Sequence, residues 1–281
     1  LAYNLKIIVL IKFLIMTKTL LLPLLAFISY SAFAQLQPGL EGKKFTRISK
    51  TTTKSVTEAM GQEIEQATSI KAHYTYTFSN ATANGYTVQE TPVKMKVDLE
   101  MMGQEISYDS ENPGNSPLAD NMKDIINKPS TISINKEGVV TDRKGDAEAL
   151  QMINNTGMAT NVPADFILIL PTELNKGIKW TKKIGEKQNV MSLEYTIDNI
   201  ENDIATVTFK GSFKQNFKNE IQGAEASVNQ EGTISGTAKV NIKNYLVLTK
   251  STKTEAKGTT EVMGMSLPVS SNTTVEDVFE Y

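Results

Sequence analysis

The longest regular pattern in this chain alternates residue by residue. Ala205, Val207, Phe209, Gly211, Phe213, Gln215 and Phe217 fall on one parity, and Thr206, Thr208, Lys210, Ser212, Lys214 and Asn216 on the other. Successive side chains of an extended strand point to opposite faces, so this run commits the segment to a long strand with one buried and one solvated side. The same period recurs in Ile70, Ala72, Tyr74, Tyr76 and Phe78, in Val93, Met95, Val97, Leu99 and Met101, in Met191, Leu193, Tyr195 and Ile197, and in Ile234, Gly236, Ala238, Val240 and Ile242. One-sided alternation of this kind belongs to antiparallel sheets.

The connections are hairpin-like. Met-Gly recurs at Met60-Gly61, Met102-Gly103 and Met263-Gly264, each time between two alternating runs, and Asn84-Gly85 and Asn202-Asp203 are turn pairs of the same kind. Such turns need positive φ, which glycine adopts freely. A polar loop is expected near residues 220–225 and a turn at Lys243-Asn244. The strands exceed the usual length of about five or six residues, and long strands twist. The expected fold is mainly β: long antiparallel strands in a strongly curved sheet or incomplete barrel, with two pseudo-repeated β halves (43–142 and 176–281) flanking a helical insert (143–175).

A few short helices are expected over the open side of the sheet. One opens at Ser116 with Pro117 at its first position and puts Leu118, Met122, Ile125 and Ile126 on one face. A second runs from Asp146 through Leu150 and Ile153. A third starts near Pro163, contains Phe166, Ile167, Leu168, Ile169 and Leu170, and stops at Pro171. That last run reads either as a lid over a greasy cavity or as a buried plug at the sheet end.

Residues 1–34 read as a secretory signal with an over-extended start. Lys18 precedes an apolar core, and Ala32-Phe33-Ala34 suits cleavage before Gln35. Lys12, Lys18 and Pro23 interrupt the apolar stretches, which argues against a membrane anchor. With no cysteine in the chain, neither disulfides nor a lipidated cysteine enter the expectation. That expectation is a single exported β-rich domain over 35–281, periplasmic or secreted, without an integral membrane span. The 29 basic and 31 acidic residues are interspersed, so no footprint for nucleic acid is present.

Motifs for chemistry are sparse. His73, the single histidine, lies on the polar parity of its strand, where a solvent-facing role outweighs that of a catalytic base. Ordinary zinc sites need more Cys and His than the chain has. No phosphate-cradling glycine loop suggests a cofactor, and none is expected. Tyr108-Asp109-Ser110-Glu111-Asn112 lacks the acidic spacing of a calcium loop and reads as a strand end.

Several landmarks together resemble a family of exported bacterial proteins known as DUF6263, a domain of unknown function. They are the Met-Gly-Gln hairpin, Tyr108-Asp109-Ser110 closing a strand, the turn from Ile134 to Val139, and Leu170-Pro171 leading to Gly177-Ile178-Lys179-Trp180. Lys243-Asn244 stands where members often have an Asp/Thr-Gly turn; Asn tolerates the same left-handed backbone. The resemblance implies no activity and no catalytic residues.

The leading expectation is a non-enzymatic envelope protein that binds or scaffolds. Its sharpest version is a carrier of lipid or another apolar small molecule, with Tyr74, Tyr76, Phe78, Phe209, Phe213 and Trp180 lining the cavity. The same six side chains would serve equally as plain core. The alternatives are a hydrolase of envelope polymers using paired carboxylates and a surface component that self-associates through strand edges.

Overall fold

The computed structural model describes residues 40–281, apart from 60, 83, 124, 146–159, 222–223 and 263 and the side chains at 81, 121, 219–221 and 224–225. The leader and the second expected helix lie outside the described residues. Thirteen strands follow in chain order: β1 (Lys44–Ala59), β2 (Gln62–Thr82), β3 (Gly85–Met101), β4 (Gln104–Asp109), β5 (Ser130–Asn135), β6 (Val139–Lys144), β7 (Val162–Pro163), β8 (Lys179–Glu186), β9 (Asn189–Glu201), β10 (Ile204–Ile221), β11 (Ala224–Asn241), β12 (Val247–Val262) and β13 (Met265–Glu280). They form one sheet in the order β7-β6-β5-β3-β2-β1-β13-β12-β11-β10-β9-β8, with β4 paired beside β3. Every pairing is antiparallel. The sheet curls into a nearly closed barrel.

Chain reversal follows the turn chemistry. Between Met101 and Gln104 the backbone passes through Met102 (φ 54°) and Gly103 (φ 76°), and Asn202 (φ 51°) and Asp203 (φ 63°) do the same between β9 and β10. Two consecutive left-handed residues make the tight turn whose twist matches a hairpin. At 220–225 the expected polar loop is replaced by continued pairing, since Glu220 faces Glu225 and Ile221 faces Ala224.

The two halves are joined where the first strand pairs with the last, β1 with β13, in a register from Thr46↔Glu280 to Thr57↔Val269. Across the opposite seam, Lys182 of β8 donates to the Glu137 carbonyl in the β5–β6 turn. The main core lies on the concave side and includes Phe45, Tyr76, Phe78, Val88, Ile132, Leu193, Ile197, Val207 and Val240. A second, smaller cluster of Val97, Tyr108 and Met122 seats the 118–125 loop on the β3–β4 hairpin.

The helical expectation is corrected. Among the described residues, the only α-helix is a single turn, Ala119–Met122, preceded by Ser116 Oγ accepting from the Leu118 amide at 3.3 Å. The run from Phe166 to Leu170 is not helical. Its backbone groups bond to other segments: Leu168 N–H donates to Tyr245 O (2.9 Å), Val247 N–H to Phe166 O (3.0 Å) and Ala164 N–H to Gly138 O (2.9 Å). Long-range partners satisfy the backbone as well as a helix would, and they let Phe166, Ile167, Leu168 and Leu170 all be buried. A helix could have turned only one face inward. Burying each such side chain contributes about 1.5–3 kcal/mol. The segment is therefore an extended plug, and Tyr281 pins it, its hydroxyl shared between the Val247 carbonyl at 2.8 Å and the Phe166 carbonyl at 3.2 Å and its ring stacked on Phe45 at 4.8 Å.

Candidate functional site

The concave side of the sheet holds a cavity of about 660 Å³. Its walls differ. β9, β10 and β11 present Met191, Leu193, Phe213, Phe217, Val228 and Ile234, whereas β1, β12 and β13 present Thr51, Thr53, Thr252, Thr254, Ser271 and Thr273. Pairing sets this up: Thr53 faces Thr273, which in turn faces Thr254, and the Thr53 and Thr273 hydroxyls are 3.0 Å apart.

The aromatic wall keeps its volume free through large–small pairing. Phe209 faces Gly236 and Phe213 faces Gly232 across the β10–β11 ladder. A Cβ on Gly236 would stand 2.6 Å from the Phe209 ring, and one on Gly232 would stand 2.8 Å from the Phe213 ring. Each ring thus lies against a bare glycine backbone on its own wall, a pairing used to cover glycine in sheets.

Charged side chains gather at the plugged end in two clusters. In the first, Arg47 Nε bonds Asp277 Oδ1 at 2.8 Å, Arg47 Nη1 reaches Asp165 Oδ2 at 3.1 Å, and Lys250 Nζ reaches Asp165 Oδ1 at 2.7 Å. The Arg47 guanidinium also lies 5.6 Å from the Tyr74 ring centroid and 5.8 Å from that of Phe279. In the second, Glu90 accepts from Tyr76 Oη at 2.6 Å and pairs with Arg143, beside the Ser130 hydroxyl. Arg143 Nε is buried without an acceptor among the described residues.

The electrostatics follow from these contacts. Burial opposes charge on Asp165, yet Lys250 and then Arg47 hold its carboxyl well below the usual carboxylate range. Burial pushes the Tyr74 hydroxyl up to about 12, and burial and then Glu90 hold Tyr76 well above its ordinary value. Asp277 is almost fully enclosed (2% exposed) while Asp165 keeps 41% of its side chain accessible, so Asp165 is the acid within a ligand's reach.

Of the six residues expected to line a cavity, Tyr76, Phe209 and Phe213 face this one. Phe78 is buried in the adjacent core, Tyr74 packs against that core, and Trp180 stacks on Tyr195 at 5.0 Å. His73 is exposed. The charged residues were not anticipated. Three of them, Glu90, Arg143 and Lys250, face inward because each follows a register shift in its strand: between His73 and Tyr74 opposite β3, at Ser133/Ile134 in β5–β6, and at Lys239/Val240 opposite β12. A bulge inserts one residue and inverts the parity beyond it. Arg47 and Asp277 sit on straight strands, where a charge on the same parity as Phe45 or Phe279 was the available signal.

The profile of a family of unknown function, DUF6263, matches residues 83–163 and 164–247. The chain belongs to this family. No curated protein matches this DUF6263 chain. Among solved structures, one described as "lipid-protein interactions in lipovitellin" superposes with a TM-score of 0.53 at 10% identity, over 86% of this chain and 26% of that one. The DUF6263 chain thus spans about a quarter of the lipovitellin chain, and the likeness is one of fold. The translocator domain of the autotransporter NalP from Neisseria meningitidis aligns over 93% of this chain and 97% of its own at 8% identity, with a TM-score of 0.24, too low to support a comparison. No helix among the described residues is long and apolar enough to cross a membrane.

Proposed function

We propose that this DUF6263 protein is a non-enzymatic binding protein of the cell envelope that carries a lipophilic ligand inside its curved sheet. The observation that carries the reading is the cavity of about 660 Å³ whose β9–β11 wall is apolar but for Gln230, itself bonded to Gln215 at 2.9 Å, within the range of about 300–1,000 Å³ usual for small-molecule sites. The fold likeness to lipovitellin, whose structure is described in terms of lipid–protein interactions, supports the same direction. Export is proposed from the basic and apolar pattern of residues 16–27 and the Ala32-Phe33-Ala34 site. The cavity's acids are engaged in ion pairs with Arg47, Lys250 and Arg143, an arrangement suited to fixing a ligand and poorly suited to donating a proton to a leaving group.

The test is native mass spectrometry of protein purified from its source organism, with Phe213→Glu as control. Wild type is expected to carry an apolar adduct of defined mass that the variant loses while keeping its β circular dichroism. A clean apo mass for wild type, together with no retention of added lipid after extraction and refeeding, would overturn the reading.

A further inference from the structure

The charged residues around the cavity are Arg47, Arg143 and Lys250 on one side of the balance and Glu90, Asp165 and Asp277 on the other. Each cation bonds at least one of these acids, Arg47 two, and none of the acids lacks a cation. The set is neutral and closed. A full charge brought into it would be stripped of water and would face no spare opposite charge, which costs several kcal/mol in an enclosed site. A head group that is uncharged, or that carries its own internal ion pair, meets donors and acceptors without that cost. The placement is built into the backbone: three separate bulges turn Glu90, Arg143 and Lys250 inward, and bulges concentrate where a side chain must be re-aimed.

We infer that the cavity selects an amphiphile whose head group bears no net charge, with the head against the six-residue ionic floor and the chain along the β9–β11 wall. This rests on the carrier reading and specifies its ligand class. The floor also gives the selection a handle, because Asp165 is the accessible acid and is shared by Arg47 and Lys250. Removing its charge leaves the floor with one surplus cation; removing the charge of Lys250 leaves one surplus anion.

The experiment compares three probes with twelve-carbon skeletons, the carboxylate carbon of dodecanoate included, each below its micelle concentration: dodecylphosphocholine, dodecanoate and dodecyltrimethylammonium. Binding is measured by displacement of an apolar fluorescent dye from the whole chain. Dodecylphosphocholine is expected to bind wild type at least about tenfold tighter than either ion, a difference of about 1.4 kcal/mol. Asp165→Asn should shift preference toward dodecanoate, and Lys250→Gln toward dodecyltrimethylammonium, each by about tenfold relative to dodecylphosphocholine. Equal binding of the three probes to wild type, or tighter binding of either ion, overturns the head-group inference and leaves the carrier reading intact. If no probe and no dye binds, the carrier reading falls as well. Should either variant fail to fold, the wild-type ranking alone decides.

Discussion

Asp277 is the most enclosed member of the ionic floor, and replacing it tests whether the cluster is energetically closed. At 2.8 Å from Arg47 Nε, its gross attraction at an effective dielectric of about 20 is about 6 kcal/mol. Much of that offsets the desolvation of both groups. Removing one partner of such a pair leaves an uncompensated buried charge and costs about 3–5 kcal/mol. Arg47 keeps Asp165 at 3.1 Å, so Asp277→Leu is expected near the lower figure, about 3 kcal/mol. With a urea slope of about 3 kcal/mol/M for a chain of this size, the unfolding midpoint should fall by about 1 M at unchanged slope. The informative partner is Arg47→Met. When Arg47 and Asp277 are replaced together, Asp165 and Lys250 remain as an intact pair at 2.7 Å and no charge is orphaned. The double variant should therefore be at least as stable as the Asp277→Leu single variant, despite the loss of the Arg47 contacts with Tyr74 and Phe279. A single-variant loss under about 1 kcal/mol, or a double variant whose loss equals the sum of the two singles, would refute the claim that the floor is a set of mutually neutralising pairs.

Two further outcomes are expected. Gly236→Ala places a Cβ 2.0 Å from the Ser251 carbonyl and 2.6 Å from the Phe209 ring; the resulting overpacking should cost about 1–3 kcal/mol by denaturant unfolding and weaken dye binding, and an unchanged midpoint would show that the ring does not rest on the glycine. Asp165 is held below its unfolded pKa, so its contribution to stability is fully present above the unfolded value of about 4 and is lost as pH falls below that toward the folded value. Acid titration of the unfolding midpoint should therefore be flatter for Asp165→Asn than for wild type over that range, and parallel curves would refute the assignment.

The hairpins were legible because their determinants are local. Ala205 through Phe217 state a strand by parity alone, and Met102-Gly103 and Asn202-Asp203 state their turns. The floor was not legible for a reason equally specific. Parity is read correctly only until an extra residue interrupts it, and the interruption exists in the pairing, not in the single strand. Alternation alone puts Val93 on one face with Val97, and beyond the shift at His73/Tyr74 the inward set becomes Glu90 and Val88. The plug failed differently: Phe166 to Leu170 is apolar at every position, a pattern that periodicity cannot assign to helix or extended chain. Its conformation was decided by carbonyls and amides of Gly138, Tyr245 and Val247, far away in sequence.

The sheet path ends at β7, and β7 is only Val162–Pro163. Two residues later comes Asp165, the acid shared by Arg47 and Lys250. Among the described residues, the end of the sheet path and the counter-charge of the floor therefore share one short stretch of backbone. Prising apart a ladder between two long strands would break a long row of backbone bonds, whereas β7 meets β6 through the Val139↔Pro163 and Val140↔Val162 pairs, flanked by Asn161 N–H to Val140 O (2.8 Å) and Ala164 N–H to Gly138 O (2.9 Å). A displacement of that stretch would draw Asp165 away from both cations. The last rung of the sheet and the electrostatic balance of the floor are thereby coupled.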